Sequence, residues 1–180
     1  GRILANELDQ LRTERLKFNL DRQGVQNTEV RMGDGGVIGK QMSQEFDRVL
    51  VDAPCSGEGL FLVDQPATYR HWTRKMVAKL TTVQKRLLRS GLLALKPSGV
   101  LVYSTCTLGF EENELVLDDV LAEWQDEITV APIDLPVHDV LSGVTQVGDR
   151  KLRSDISRAW RILPTKTMEG FFVAKLVKRR

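Results

Sequence analysis

The chain has 180 residues, with 26 Lys+Arg against 24 Asp+Glu, a formal net charge of +2 and 42% hydrophobic residues. That balance belongs to a single globular domain and excludes a collagen-like repeat, a disordered tail and a disulfide-stapled miniprotein. Two cysteines cannot staple a chain of this length, and no uncharged run reaches the ~20 apolar residues of a bilayer span, so a reducing, cytoplasmic setting with no membrane partner is expected.

In chain order, Ile3-Leu4-Ala5 reads as a short strand ending at Asn6-Glu7. Residues 8–22 place Leu8, Leu11, Leu16 and Leu20 within one half of a helical wheel, and Gly24 follows as a helix stop. Val30-Arg31-Met32 makes a second strand that runs into Gly33-Asp34-Gly35. Phe46 to Val51 is a third, largely apolar strand stopping at Asp52-Ala53-Pro54-Cys55, as a strand covered on both faces would. Trp72, Met76, Leu80, Val83, Leu87 and Leu95 recur at helical spacing over 72–95, and Lys96-Pro97-Ser98-Gly99 is read as the helix end. Val100 to Tyr103 is the next strand and enters Ser104-Thr105-Cys106-Thr107. A helix over 111–125 carries Leu117, Val120, Leu121 and Trp124 on one face, with Glu111, Glu112 and Glu114 where the helix dipole favours acids. The pattern weakens beyond Ile128, until Gly170 to Val177 forms a terminal strand.

Alternation of strand and helix predicts an α/β domain with a parallel sheet and helices on both faces. Such sheets bind ligands beyond the carboxyl ends of their strands. Glu7, Asp34, the Asp52–Cys55 turn and the Thr105–Cys106 turn all fall at predicted strand ends.

Charge is segregated along the chain. Residues 1–69 carry net −3, 70–96 net +8, 111–139 net −10 and 148–180 net +7. A basic face would focus field on a polyanion, whereas blocks that meet in space would cancel.

The two cysteines are the candidates for chemistry, against the alternatives of small buried hydrophobes or an adventitious or regulatory disulfide. Cys55 and Cys106 each follow a strand and stand beside small polar residues, so neighbouring strands would bring both thiols over one cleft. A zinc site is disfavoured, because two cysteines and the separated His71 and His138 lack ligand spacing.

Asp52-Ala53-Pro54-Cys55-Ser56-Gly57-Glu58-Gly59, paired with Tyr103-Ser104-Thr105-Cys106-Thr107, resembles the Sun (Fmu) family of RNA cytosine-5 methyltransferases. Arg22-Gln23-Gly24, Gln84-Lys85-Arg86-Leu87-Leu88, and Pro164 with Gly170-Phe171-Phe172 are similar to further motifs of that family. The resemblance covers nearly the whole chain. It implies a Rossmann-like class I methyltransferase sheet, S-adenosylmethionine as methyl donor and RNA as partner, with ribosomal RNA favoured over transfer RNA. It also implies that Cys106 is the nucleophile that adds to cytosine C6, and that Cys55 assists breakdown of the covalent adduct. Asp52 would hold the cytosine N3/N4 edge. Glu7, Asp34 and Asp52 would line the donor site, with Glu7 at the ribose hydroxyls and Asp34 near the adenine amino group. Arg70, His71, Arg74 and Lys75 would meet the RNA backbone.

The chain departs from the family pattern at its front. Only six residues precede Glu7, so the first strand and the Gly-rich donor loop, which would lie ~20 residues upstream of the ribose acid, are expected to be missing. Residues 1–180 therefore read as an N-terminally incomplete catalytic domain. The competing readings are a catalytically incomplete RNA-binding remnant, a DNA-directed variant and a dithiol redox domain, the last without any Cys-x-x-Cys spacing.

Overall fold

The computed structural model describes residues 1–180. β1 (Ile3–Glu7) is followed by α1 (Gln10–Arg22) and β2 (Thr28–Met32). A short turn of helix, α2 (Ile38–Gln41), leads to β3 (Phe46–Asp52). The long helix α3 (Arg74–Ala94) then feeds β4 (Leu95–Thr105), and α4 (Glu114–Leu121) follows. The remainder is built of short strands: β5 (Ile128–Ala131), β6 (Val140–Ser142), β7 (Gln146–Val147), β8 (Arg150–Lys151), β9 (Trp160–Ile162) and the longer β10 (Phe171–Lys178).

The sheet is mixed, which corrects the expectation of a parallel one. β1 pairs with β2 and β3 pairs with β4 in parallel, while β10 runs antiparallel to β4, β5 and β9, and β6 antiparallel to β9. Parallel neighbours need a crossover connection. The two parallel pairs are those joined through a helix, α1 between β1 and β2 and α3 between β3 and β4. The main sheet runs β3-β4-β10-β9-β6, with β5 paired to the far half of β10; β1-β2 forms a separate ribbon.

The core lies under the main sheet. Leu88 and Leu92 of α3, Val116, Leu117, Val120 and Leu121 of α4, and Leu101, Tyr103, Phe172, Ala174 and Leu176 of the sheet are all buried in one cluster. Three local readings change. β4 begins at Leu95, so Lys96–Gly99 is an irregularity inside a strand: the register slips after Phe46↔Leu95, and Ser98 takes φ 63°. The predicted 111–125 helix is regular only over α4 and breaks at Gln125, with φ 45°. Leu8 lies before α1, which starts at Gln10; Leu11 on it is exposed, and Thr13 is its buried side chain.

Thr73 caps α3, accepting the Met76 N–H at 3.1 Å. At its other end, Lys178 of β10 donates to the carbonyls of Leu92 (3.3 Å) and Leu95 (3.1 Å) and lies 4.9 Å from the Trp124 ring centroid. Burial holds that ammonium below its ordinary pKa. No helix is long and apolar enough to cross a membrane.

Candidate active site

Cys55 and Cys106 meet because β3 and β4 are neighbours in parallel register. Asp52 pairs with Ser104 at the ends of the two strands, and the Ala53 N–H donates to the Ser104 carbonyl at 3.0 Å. From there both chains turn over the sheet edge. The two sulfurs lie 2.9 Å apart as free, half-buried thiols, and the Cys106 N–H points at Cys55 Sγ at 3.2 Å. Burial, and then the Cys106 sulfur, push the Cys55 thiol from 9.0 up to about 12. Cys55 is thereby held protonated at neutral pH.

The two turns are laced together. Ser56 and Thr107 share a hydroxyl contact of 3.1 Å, and the Gly59 N–H donates to the Cys106 carbonyl at 3.0 Å. Gly57 takes the left-handed φ of 77° that a non-glycine residue resists. Gly59 is forced by space: a Cβ there would sit 1.9 Å from the Gly170 carbonyl oxygen.

Behind the Cys106 turn stands a run of three buried polar side chains. The Glu112 carboxylate accepts the Ser56 N–H (3.0 Å) and Gln84 Nε2 (2.7 Å). Asn113 accepts from the Thr105 hydroxyl at 2.6 Å and donates to the Thr107 carbonyl at 3.0 Å. Glu114 takes both Nε and Nη2 of Arg161 at 2.6 Å, and Arg161 Nη1 reaches the Leu108 carbonyl at 2.7 Å.

A cleft of about 1180 Å³ lies beside the sulfurs, between the facing edges of β1 and β3. Its walls include β1 from Ile3 to Glu7, β3 from Phe46 to Asp52 apart from Asp47, and Asp34 and Pro54; neither sulfur lines it. Asp52 belongs to both places. Its Oδ1 accepts the Ser104 hydroxyl at 2.9 Å, in place of the local turn bond available to a strand-end Asp. Glu7 Oε1 accepts the N–H groups of Leu8 (2.8 Å) and Asp9 (3.0 Å), and Oε2 pairs with Arg12 at 3.1 Å. Asp34 accepts the Gly36 N–H at 2.8 Å and pairs with Arg86, and these two groups hold its carboxyl below the usual range. Asn6 donates to the Gly33 carbonyl at 2.9 Å, while its buried Oδ1, on the cleft wall, has no partner.

The profile of the family described as 16S rRNA methyltransferase RsmB/F matches residues 1–177. The chain belongs to that family. It is 39% identical over 178 residues to ribosomal RNA small subunit methyltransferase F of Erwinia tasmaniensis and 36% identical to the protein of that name from Aliivibrio salmonicida, covering 99% of this chain in both cases. It spans only about a third of those relatives, 35% and 36% of their lengths. Among solved structures, a methyltransferase homologue from Pyrococcus horikoshii superposes with a TM-score of 0.81 at 34% identity, over 99% of this chain and 53% of that one. NSun6 from the same organism, solved with SFG, gives 0.76 at 27% identity over 100% of this chain and 42% of that one. The Rossmann-like class I methyltransferase fold expected from the sequence is borne out, with a mixed sheet.

In this RsmB/F-family chain the charge blocks separate into two kinds. Lys85 pairs with Asp119 and Arg89 with Glu123, while Arg150 reaches Asp118 and Asp119, so these three acids of the acidic block are neutralised by the basic ones. Arg70, His71, Arg74 and Lys75 are all exposed. Their side chains make no ion pair or hydrogen bond within the chain.

Sequence reasoning missed the polar residues that hold the site. The sequence pattern predicts Glu112 and Glu114 as acids favoured by a helix dipole, yet α4 starts only at Glu114 and both side chains are buried on specific partners. Gln84 enters the sequence reading only as the first residue of a family-like motif, with no role of its own. Its signal was positional: it sits on the buried face of α3 with Val77 and Leu88, where an amide is kept only if bonded.

Proposed function

We propose that residues 1–180 form the catalytic part of an RNA cytosine-5 methyltransferase acting on ribosomal RNA. The observation that carries this is the pair of free sulfurs 2.9 Å apart at adjacent strand ends, with the Asp52 carboxylate beside them. Cytosine C5 is a weak nucleophile, and a thiolate added at C6 makes it enamine-like. Cys106 is the adding sulfur, the role that its place in a Thr-Cys motif like that of the family supports. Cys106 gives its proton to solvent and adds as thiolate, the S–C6 bond forming as the C5=C6 double bond opens; once C5 carries the methyl group, loss of the C5 proton to solvent restores that double bond and expels the thiolate. Cys55 assists that breakdown, and Asp52 holds the N3/N4 edge of the ring. The target base must be splayed out of any stack to reach the strand ends. Arg70, His71, Arg74 and Lys75 are free to meet RNA phosphates, in a salt-dependent contact.

An adenosine-bearing donor fits the rim of the neighbouring cleft, where Glu7, Asp34 and the orphaned Asn6 Oδ1 offer acceptors to hydroxyl and amino groups. The pairs that occupy Glu7 and Asp34 are half-exposed and cheap to exchange, with Arg12 71% and Arg86 49% exposed. S-adenosylmethionine bound there would supply a methyl group on sulfonium sulfur. The facing edges of β1 and β3 carry backbone groups that no strand pairs, and we read the gap between them as a strand position filled by polypeptide outside these 180 residues.

RNA containing 5-fluorocytosine, which lacks the departing C5 proton, tests the reading in the protein with that strand position filled. A covalent adduct should form, vanish in Cys106→Ala and persist in Cys55→Ala. The opposite pattern would exchange the two roles. RNA retention with no adduct and no methyl incorporation would favour a non-catalytic RNA-binding remnant.

A further inference from the structure

The reaction read above uses Cys55, Cys106 and Asp52, and gives no task to Glu112. Glu112 lies in the turn between β4 and α4 and is 1% exposed. Burying a carboxylate is costly, and it persists where strong N–H donors meet it. Both of its donors here are neutral. The Ser56 N–H approaches its two oxygens at 3.0 and 3.3 Å, and Gln84 Nε2 lies 2.7 Å from Oε2.

Gln84 is fully buried as well, and its Nε2 also donates to the Pro54 carbonyl at 2.8 Å. The two side chains therefore grip the backbone on both sides of Cys55, Gln84 at Pro54 and Glu112 at Ser56. The grip is one-handed in orientation. Gln84 Oε1 is left without a partner, and a flipped amide would set that oxygen against the Glu112 carboxylate. The other end of the grip is fastened to the Cys106 strand, because the Tyr103 hydroxyl donates to the Glu112 carbonyl at 2.7 Å. The chain thus tolerates an orphaned buried oxygen and a buried charge at one place, directly behind the thiol pair.

We propose that Glu112 and Gln84 are positioning residues that clamp Pro54–Ser56 and so hold Cys55 Sγ against Cys106 Sγ. The proposal rests on the reading that the two thiols work as a pair. Neither residue touches the reacting atoms. Their effect is on where Cys55 stands when Cys106 adds and leaves.

Phenylarsine oxide measures this directly, without RNA or donor. Its arsenic forms two As–S bonds, one to each of two adjacent thiols, and its oxygen leaves with the two thiol protons as water. Capture therefore reports the sulfur–sulfur geometry, whereas iodoacetamide reports each thiol singly. In this chain, Glu112→Ala should weaken arsenical capture at least tenfold while Cys106 still alkylates. Glu112→Gln, whose amide oxygen can accept both N–H groups, should stay within threefold of the parent. Gln84→Met should weaken capture to a similar degree as Glu112→Ala. The double variant Glu112→Ala/Gln84→Met should lose little more than either alone, since the two act as a unit.

A purely structural role would lower the unfolding midpoint of Glu112→Ala and leave capture by the folded protein unchanged, and that result overturns the proposal. Should Glu112→Ala fail to fold by circular dichroism, Gln84→Met decides: unchanged capture overturns the clamp and weakened capture upholds it. The methylation reading fails separately, through absence of the 5-fluorocytosine adduct in a protein that still captures the arsenical.

Discussion

Glu114 and Arg161 form the most deeply buried ion pair of the chain, with side chains 0% and 13% exposed. The geometry is a fork: Arg161 Nε and Nη2 each lie 2.6 Å from a different oxygen of Glu114. Glu114 Oε1 also accepts the Val144 N–H at 3.0 Å, and Arg161 Nη1 holds the Leu108 carbonyl two residues beyond Cys106. Glu114→Ala removes three acceptor contacts and strands a guanidinium whose remaining neighbours are one carbonyl and the Phe110 ring, 6.0 Å away. Breaking a buried pair from one side costs about 3–5 kcal/mol, because the surviving charge stays uncompensated. The small residual exposure of Arg161 lets water reach it, which favours the lower end. With a urea slope of ~2 kcal/mol/M, the midpoint should fall by ~1.5–2.5 M. Replacing both partners by apolar residues of similar volume, Glu114→Leu with Arg161→Met, should cost much less than the sum of the two single changes. Urea titrations followed by far-UV circular dichroism and tryptophan fluorescence give both numbers, with coincident curves as the two-state check. A single variant that loses under ~1 kcal/mol, or a double variant that costs the full sum, would refute this account of how β9 holds the Cys106 turn.

Gly59→Ala drives a Cβ to 1.9 Å from the Gly170 oxygen and 3.0 Å from the Cys106 oxygen, all fixed backbone. Overpacking of that kind costs roughly 1–3 kcal/mol, so arsenical capture and thermal midpoint should both fall; a variant with parental values would mean the two turns have slack. Cys55 should alkylate in the folded protein with a midpoint well above the ordinary 9.0, since burial pushes it up to about 12, and should return to the ordinary value in urea. The sign for stability follows. Folded Cys55 keeps its proton over an interval in which unfolded Cys55 releases it, so its contribution is complete below 9.0 and is lost as pH rises towards about 12. A folded-state alkylation midpoint near 9.0, read by mass spectrometry, would contradict the burial of that sulfur.

Much of the site was already written in the chain. The chain turns polar where an apolar run stops, so Glu7, Asp52 and the Thr105–Cys106 turn fall at strand ends by sequence pattern alone, although β3 is an edge strand with Leu50 69% exposed and not the doubly covered strand its apolar run predicts. The two cysteines in their small polar settings could be seen in the same way. Other features depended on partners distant in sequence. Strand direction beyond β4 was invisible, because periodicity reports which face is covered and not which neighbour pairs or in which sense. Residues 96–99 carry helix-stop chemistry, and only pairing with β3 makes them an irregularity in β4.

The amino-acid order by itself determined the thiols, the acids and the strand ends that present them, since each is a local consequence of residue type. The tertiary structure alone decided that Cys55 touches Cys106, that Glu112 and Gln84 grip the turn between them, and that Asp118, Asp119 and Glu123 pair with Lys85, Arg89 and Arg150 while Arg70, His71, Arg74 and Lys75 stay unpaired. The reason is that a polar side chain on a buried face acquires meaning only from the group it meets. Fifty-one residues separate the sulfurs and twenty-eight separate Gln84 from Glu112, distances that only the packing of α3 and the β3–β4 register can close.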